Sequence, residues 1–360
     1  MTIAREKIIP LGTAPWVHCI SRCVRRAWLL GKGKDHRRQW VEDRMRYLVG
    51  CFAVDVASYA VMANHLHLVI RLDPVAAGGW TAEEVARRWM SVYPHEYLSD
   101  GTPVVPKDAV IRAQAQDAAW VELRRKRLAD LGWYMRALKE TIAKRANRED
   151  DCTGSFWEGR FTSVPLLDDA ALVACMAYVD LNPVRARVVD RPERSRQTGV
   201  RARIVARQRY QAARRIRAQR PREATRVLAK ESLTEAETGP EVGLWLAPLA
   251  RCCVALAGSA PVDARRHDWS AEDYLQLVDL SGRVLRGGKR GAIPTELAPL
   301  LARLDLDVEA WVAVLFGWRS FVGRAVGGLA ARTAQAGRLG LAWIKNACPL
   351  FAARAEEVAA

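Results

Sequence analysis

His65 and His67 are the two residues whose type and spacing most directly suggest chemistry. They lie two positions apart in the run HLHLVIRL, which has an alternating pattern. If this run is a β-strand, both imidazoles lie on one face, and Leu66, Leu68 and Ile70 lie on the other. Two neighbouring imidazoles on a rigid strand can form half of a site for a divalent metal ion. The alternative is a pair of surface histidines on an exposed sheet face.

Tyr178 and Asn182 form the second candidate group. A helix is predicted to begin at residues 168–169, whose two aspartates complement the helix dipole, and to end near Asn182 because Pro183 follows it. Residues four apart on a helix share a face, so the two side chains would lie together. A tyrosine hydroxyl can attack phosphorus and form a covalent intermediate, most simply when a metal ion polarises the phosphate. The alternative is a structural tyrosine half-buried between domains.

The patterns around these residues predict the element order β-α-β-β-α-β-α. Strands are expected at about 16–23, 53–62, 65–72 and 160–166, with helices at about 36–49, from 131 onwards and before the proline at 183. Only Ala63 and Asn64 separate the second and third strands, which is the spacing of a tight hairpin. The segment 73–130 looks irregular apart from a charged helix ending in ELRRKRLAD, and we interpret it as an insertion or a lid.

The composition favours a soluble protein with a polyanionic partner. Among 360 residues, 56 Lys and Arg outnumber 40 Asp and Glu, which gives a formal net charge of +16. A surplus of that size favours nucleic acid over a membrane as the partner. The sequence has neither the pattern of a secretory signal nor a run of about 18 apolar residues, so we expect a cytoplasmic protein without a membrane span. The eight cysteines contain no CxxC pair, and we expect them to be small buried residues.

An arginine-rich segment follows the Tyr178 region. Residues 194–226 include twelve arginines and one acidic residue, Glu223. Such a run looks too charged for a core, and it is interpreted as a basic helix or linker that lies against phosphates. A solvated connecting helix is the alternative. From about residue 244 to 358 the patterns predict a second, mainly helical region.

Three blocks of the sequence resemble a known family. They are YAVMANHLHLVI at 59–70, GSFWEGRFTSVPLL at 154–167 and YVDLNPVRARVV at 178–189. In this order they resemble the single-tyrosine HUH transposases, and more narrowly the REP-associated tyrosine transposases and their longer bacterial relatives. HUH stands for His, hydrophobic residue, His. The resemblance covers about 15–72 and 131–190, close to a third of the chain.

The resemblance implies a fold and a division into domains. The family's fold is α+β, a ferredoxin-like antiparallel sheet with helices on one face, and here a mainly helical C-terminal region would follow it. The implied catalytic domain is 1–190, with the insertion at about 73–130. An Arg-rich linker or helix would then occupy 191–240, and a helical C-terminal domain would occupy 241–360.

The resemblance also implies an activity. The nucleophile of the family corresponds to Tyr178, and His65, His67 and Asn182 would hold Mg²⁺ or Mn²⁺, since an amide oxygen is an acceptable ligand for these ions. The implied reaction is metal-assisted cleavage of single-stranded DNA, which leaves a 5′-phosphotyrosine link and a free 3′-hydroxyl. Later attack of that hydroxyl on the link would rejoin strands. The implied substrates are hairpins or repeat ends.

Several basic and aromatic residues are expected to contact this DNA. They are Trp157, Arg160, Arg185, Arg214 and Arg215. Trp157 could instead belong to the core, and Arg160 could pair with an acidic neighbour. Related enzymes include dimers and monomers, so a homodimer stays open. Two other functions also stay open: a nucleic-acid-binding regulator that no longer cleaves, and a metal-dependent hydrolase that uses water.

Overall fold

A computed structural model describes most of the chain. The described residues are 15–31, 33–96, 104–219, 241, 243–249, 252, 270–286, 296, 298, 301, 306–321, 325–344 and 348–351. They fall into two compact units. The first unit comprises residues up to 56 together with 61–165, and the second comprises 57–60 together with the chain from 166 onwards. The predicted domain boundaries near 190 and 240 remain predictions.

The described elements are strands and helices in an α+β arrangement. The strands are β1 (Trp16–Arg22), β2 (Val54–Val61), β3 (His65–Leu72) and β4 (Thr162–Leu166). The helices are α1 (His36–Val49), α2 (Pro74–Gly78), α3 (Ala82–Val92), α4 (Asp108–Ala115), α5 (Ala118–Leu128), α6 (Leu131–Glu149), α7 (Asp169–Asp180), α8 (Asn182–Arg185), α9 (Gly199–Gln219), α10 (Ala271–Arg286), α11 (Val308–Phe321) and α12 (Leu329–Arg338). Among the described helices, none is long and apolar enough to cross a membrane.

The four strands form one antiparallel sheet in the order β2-β3-β1-β4, which confirms the α+β class. In the pairing of β1 with β3, Ile20 lies opposite His67, and Arg22 lies opposite His65. The predicted hairpin is also present, since the Met62 amide donates to the His65 carbonyl at 2.8 Å. This register places the side chains of His67 and Ile20 on the same face of the sheet.

The expectation of an irregular segment at 73–130 was wrong apart from its charged helix, which is α5, because the described residues also form α2, α3 and α4. Side-chain caps start three of these helices. Asp73 accepts from the Ala76 amide, Asp117 caps α5 in the same way, and Thr81 forms a capping box with Glu84. A small core of Ala86, Met90 and Ile111, covered by Ala115 and Trp120, holds α3, α4 and α5 together.

The helix that carries Tyr178 ends earlier than its sequence predicts. Helix α7 stops at Asp180, and the separate turn α8 begins at Asn182. Pro183 lacks the amide that would continue the helix, and its ring disfavours helical geometry in the chain before it. The start is as predicted, since the Asp168 carboxylate accepts from the Ala171 amide at 2.8 Å. Tyr178 and Asn182 are therefore not four residues apart on one continuous helix.

A buried carboxylate organises the second unit. Asp180 accepts hydrogen bonds from the Ser58 hydroxyl at 2.8 Å, from the Val200 amide at 2.8 Å and from the Tyr274 hydroxyl at 2.5 Å. These bonds join residues of β2, α9 and α10 to the end of α7. A side chain at Gly199 would crowd these bonds, because a Cβ there would lie 3.0 Å from both the Asp180 carboxylate and the Ser58 hydroxyl.

The arginine-rich segment also contributes to the core, which corrects the idea that it is too charged to do so. Its part at 199–219 is helix α9, and Arg203 on that helix is buried. The Arg203 guanidinium pairs with Glu241 and donates to the carbonyls of Ala57 and Ala247, each at 2.9 Å. A buried arginine is stable where carbonyls and a carboxylate satisfy its donors. Residues 220–226 of the predicted run lie outside the described residues.

The buried Asp180 generates a prediction about pH. Burial raises the pKa of Asp180 to about 6, whereas an unfolded aspartate has a pKa of about 4. Between these values the folded protein holds a proton that the unfolded chain has released, so stability falls as the pH rises. We therefore compare the free energy of unfolding of the wild type with that of Asp180→Asn. The difference, wild type minus variant, should decrease from about pH 4 to about pH 6 and then level off. Urea unfolding followed by tryptophan fluorescence measures both free energies. A difference that rises over this window would show that the hydrogen bonds outweigh desolvation.

Candidate functional site

The histidine pair is placed by β3 and its hairpin. The rings of His65 and His67 lie with centroids 4.9 Å apart and planes at 83°, so they converge on the same side of the strand as its alternation requires. His67 is fully buried and His65 is half-buried. Ordered neighbours limit the motion of both rings, and these neighbours also decide which ring nitrogen carries the proton.

A hydrogen bond fixes the protonation of His65. Its Nδ1 lies 2.6 Å from the Asn64 Oδ1, and the Asn64 Nδ2 donates to the Arg26 carbonyl at 3.1 Å. The second bond orients the amide, so the oxygen of Asn64 is the atom that faces the imidazole. Because a carbonyl oxygen only accepts, the Nδ1 of His65 carries the proton and Nε2 carries the lone pair. This is the tautomer of an imidazole that binds a metal through Nε2.

A third histidine, His18 on β1, contacts the pair. Its Nε2 lies 2.9 Å from the Nδ1 of His67, and the two rings stack with centroids 5.1 Å apart. His18 was not among the residues predicted from the sequence. Only the register of β1 against β3 reveals it, because His18 is two residues from Ile20, which lies opposite His67. His18 can therefore orient the His67 ring by accepting a hydrogen bond from its Nδ1–H. This arrangement leaves the Nε2 of His67 as the ligating atom.

Tyr178 on α7 is enclosed by an aromatic ring and a guanidinium. The side chain is 1% exposed, and its ring stacks on Trp318 of α11 with centroids 5.6 Å apart. Arg185 of α8 donates to the phenol oxygen at 2.9 Å, and its guanidinium carbon lies 4.6 Å from the ring centroid. A cation held against the phenol oxygen would offset negative charge that develops there.

Asn182 is the other predicted residue of the second unit. It is buried at the start of α8, and its side-chain nitrogen makes no hydrogen bond among the described residues. His65 and His67 belong to the first unit, whereas Tyr178 and Asn182 belong to the second. The convergence of the two groups around one metal ion stays a prediction.

The donor set limits the kind of metal site that could form. Among the described residues, no group of three or more His, Cys, Asp or Glu side chains could hold a metal ion. A site built on His65 and His67 would therefore need other donors, such as the predicted Asn182 amide, water or a substrate phosphate. Mg²⁺ commonly binds in this way, with few protein ligands and with oxygen from phosphates and water. The two imidazoles thus fit a metal ion that is shared with substrate.

The residues predicted to contact DNA differ in exposure. Arg160 is exposed, and so are Arg214 and Arg215 near the end of α9. Trp157 is only 7% exposed, packs against Phe156 and donates its indole N–H to a main-chain carbonyl at 3.0 Å. That environment favours the alternative that Trp157 belongs to the core. The predicted contacts with DNA are untested for all of these residues.

Comparisons with known proteins give one structural likeness. No protein-family model matches the chain, and no curated protein matches it. A solved structure of a REP-associated tyrosine transposase bound to a REP hairpin is similar over 51% of this chain and 75% of the other chain, with 11% identity and a TM-score of 0.30. Because that TM-score is low, the functional assignment below rests on the residues of this chain.

The Asn64 contact predicts a measurable tautomer. At about pH 8, where imidazoles are neutral, the wild type should show His65 with its proton on Nδ1 in two-bond ¹H–¹⁵N correlation spectra. In Asn64→Ala the anchoring acceptor is lost, so the His65 signals should shift towards the Nε2-protonated form. His36 is an internal control, since it contacts Glu149 instead. Identical His65 signals in both proteins would contradict the assignment.

Proposed function

We propose that this protein is a metal-dependent, single-strand DNA endonuclease and strand transferase, with Tyr178 as its nucleophile. One observation carries the proposal. His65 and His67 converge on one face of β3, and each ring contacts a neighbour through Nδ1, at 2.6 Å and 2.9 Å. A histidine that is only structural does not require a hydrogen-bond partner on Nδ1. Metal-binding histidines commonly have such a partner, which orients the ring and leaves Nε2 for the metal ion. The three sequence blocks that resemble the single-tyrosine HUH transposases support the same conclusion.

The sheet supports a finer assignment of the fold. We assign it to the ferredoxin-like class, because β1, α1 and the β2–β3 hairpin precede the helices that lead to β4. Helix α1 contacts α6 through Arg37, which pairs with Glu149 at 2.6 Å and with Asp150. In this assignment α2 to α5 are an elaboration inserted between β3 and the second helix of the class.

The chemistry assigned to the residues is a transesterification. The Tyr178 hydroxyl attacks a DNA phosphorus and loses its proton to solvent, a bond from the tyrosine oxygen to phosphorus forms, and the bond from phosphorus to the 3′ oxygen breaks, so that this oxygen takes up one proton from solvent. The 3′ oxygen leaves as a hydroxyl once protonated, and the strand keeps a 5′-phosphotyrosine link. Arg185 offsets charge at the attacking oxygen. His65 and His67, with Asn182, would hold Mg²⁺ or Mn²⁺, which when bound supplies Lewis-acid charge at the phosphate.

A second function has an observation in its favour. Tyr178 is 1% exposed, stacked on Trp318 and bonded to Arg185. A tyrosine in such surroundings also suits a protein that binds nucleic acid without cutting it. The two functions differ in one product, the covalent complex of protein and DNA.

A denaturing gel tests the proposal. Labelled hairpin oligonucleotides with a single-stranded flank are incubated with the protein and Mn²⁺ or Mg²⁺. The expected result is a protein–DNA adduct that survives denaturation and is abolished in Tyr178→Phe. Tyr47→Phe is the matched control, because Tyr47 is 45% exposed and lies on α1, away from the predicted site residues in sequence; its adduct should match the wild type.

The histidine variants complete the test. His65→Ala and His67→Ala should each reduce the adduct at least tenfold and should bind Mn²⁺ more weakly in calorimetric titrations. Binding of the oligonucleotide with no adduct under either metal ion would support the non-cleaving function. Cleavage that persists in Tyr178→Phe but fails in His65→Ala would instead indicate a hydrolase that uses water.

A further inference from the structure

Tryptophan and arginine side chains alternate along one part of the first unit, two of them within the charged helix that the sequence predicts. We name this group the Arg–Trp cluster, and its members are Trp89, Trp120, Arg124, Arg127, Trp133 and Arg136. They come from α3, α5 and α6. All of these helices lie within the first unit, in or next to the segment predicted to be a lid or insertion.

Helix α5 supplies the centre of the cluster. Trp120 and Arg124 are four residues apart, and Arg127 follows three residues later, so all three side chains lie along one face of the helix. The Arg124 guanidinium carbon lies 4.6 Å from the Trp120 ring centroid and 5.6 Å from that of Trp89. The Arg127 guanidinium carbon lies 5.7 Å from the Trp89 centroid and 4.3 Å from that of Trp133.

The alternation continues onto α6. The Arg136 guanidinium carbon lies 5.1 Å from the Trp133 ring centroid. Trp89 and Trp133 contact each other edge to face, with centroids 5.5 Å apart. Rings and cations therefore alternate without a break, in the order Trp120, Arg124, Trp89, Arg127, Trp133, Arg136. Trp120 and Trp133 are half-buried, so part of each ring remains accessible to a ligand.

The central charges of the cluster form no ion pairs among the described residues. Neither Arg124 nor Arg127 has a carboxylate within 4.0 Å there, and the nearby Glu122 pairs with other basic residues of α5. Partial burial, and then the adjacent Arg127, lower the pKa of Arg124, against a smaller opposing effect of Asp117. Two like charges held close together with no carboxylate in contact favour the binding of an anion between or beside them.

We propose that the Arg–Trp cluster is a contact surface for single-stranded nucleic acid. Guanidinium groups bind phosphates, and partly exposed indoles are platforms on which bases stack regardless of sequence. In taking nucleic acid as the ligand, this inference rests on the proposed function. It adds a surface formed by helices outside the histidine and tyrosine groups, and it requires neither metal ion nor cleavage.

Binding without divalent metal tests the proposal separately from catalysis. Fluorescence anisotropy of a labelled single-stranded oligonucleotide is measured in EDTA over a series of salt concentrations. Arg124→Ala combined with Arg127→Ala should weaken binding by about tenfold or more at low salt. It should also reduce the slope of log K against log salt by about 1.4, since two phosphate contacts are lost at about 0.7 each on a single strand. A double-stranded oligonucleotide should bind more weakly than the single strand.

The matched control removes two arginines that are also three residues apart, near the other end of α6. Arg145 and Arg148 are exposed, and the Arg145 guanidinium carbon lies 3.8 Å from the Trp40 ring centroid. Arg145→Ala combined with Arg148→Ala removes the same charge, and it should leave binding within about threefold of the wild type. Equal loss in both double variants would indicate a general charge effect and would overturn the proposal.

A conservative variant separates recognition from folding. Arg124→Lys combined with Arg127→Lys keeps the charge but loses the planar stack, so the salt slope should persist while the preference for single strands falls. Should the alanine variant fail to fold, as judged by circular dichroism, the lysine variant decides. Unchanged affinity, slope and strand preference in the folded variant would overturn the proposal. Equally tight binding of polyglutamate, which has no bases, would do the same and would indicate an acidic protein as the partner.

These outcomes are distinguishable from failure of the proposed function. If Tyr178 forms no adduct but the cluster still binds single strands in EDTA, the contact surface stands and the endonuclease does not. If the adduct forms normally in the Arg124 and Arg127 alanine variant and binding is unchanged, the endonuclease stands and the contact surface does not.

Discussion

The buried carboxylate of Asp180 is the interaction on which the second unit depends. It lies two residues after Tyr178, and it accepts hydrogen bonds from Ser58 and Tyr274 as well as from the Val200 amide. Burying a carboxylate costs free energy, which only a complete set of donors can offset. Three parts of the chain that are distant in sequence must therefore be in place together. The position of the Tyr178 helix is a consequence of that requirement.

Local patterns predicted the sheet because each strand has its own signal. The strands β2 and β3 were readable from their apolar runs and from the Ala63–Asn64 spacing, and α6 was readable from its helical periodicity. Of the four helices of 73–130, only α5 was predicted, as a charged helix, and α2, α3 and α4 were missed, although the caps at Asp73 and Thr81 were present in the sequence. Helices this short offer only two or three turns of apolar spacing, so a cap is needed beside that spacing to locate them.

The candidate site was predictable only in part, for a physical reason. The spacing of His65 and His67, two positions apart on one strand, was visible in the sequence. Their partner His18 is 49 residues from His67, and only the pairing of β1 with β3 brings His18 and His67 together. The burial of Arg203 was likewise invisible, since its acceptors are main-chain carbonyls far away in the sequence. The type of a residue indicates which interactions it can make, whereas the partners it actually contacts depend on the fold.

The bond from Asn64 to the Arg26 carbonyl has a consequence for variation. The acceptor is a main-chain atom, so its place depends on the backbone at position 26 and not on the arginine side chain. Arg26 has a positive φ of 55°, a left-handed conformation that β-branched residues rarely adopt. The location of one imidazole proton on His65 is thus set by backbone geometry and by a single amide. Sequences could drift at position 26 only among residues that tolerate this backbone, whereas position 64 must keep its amide for the same chemical detail to be inherited.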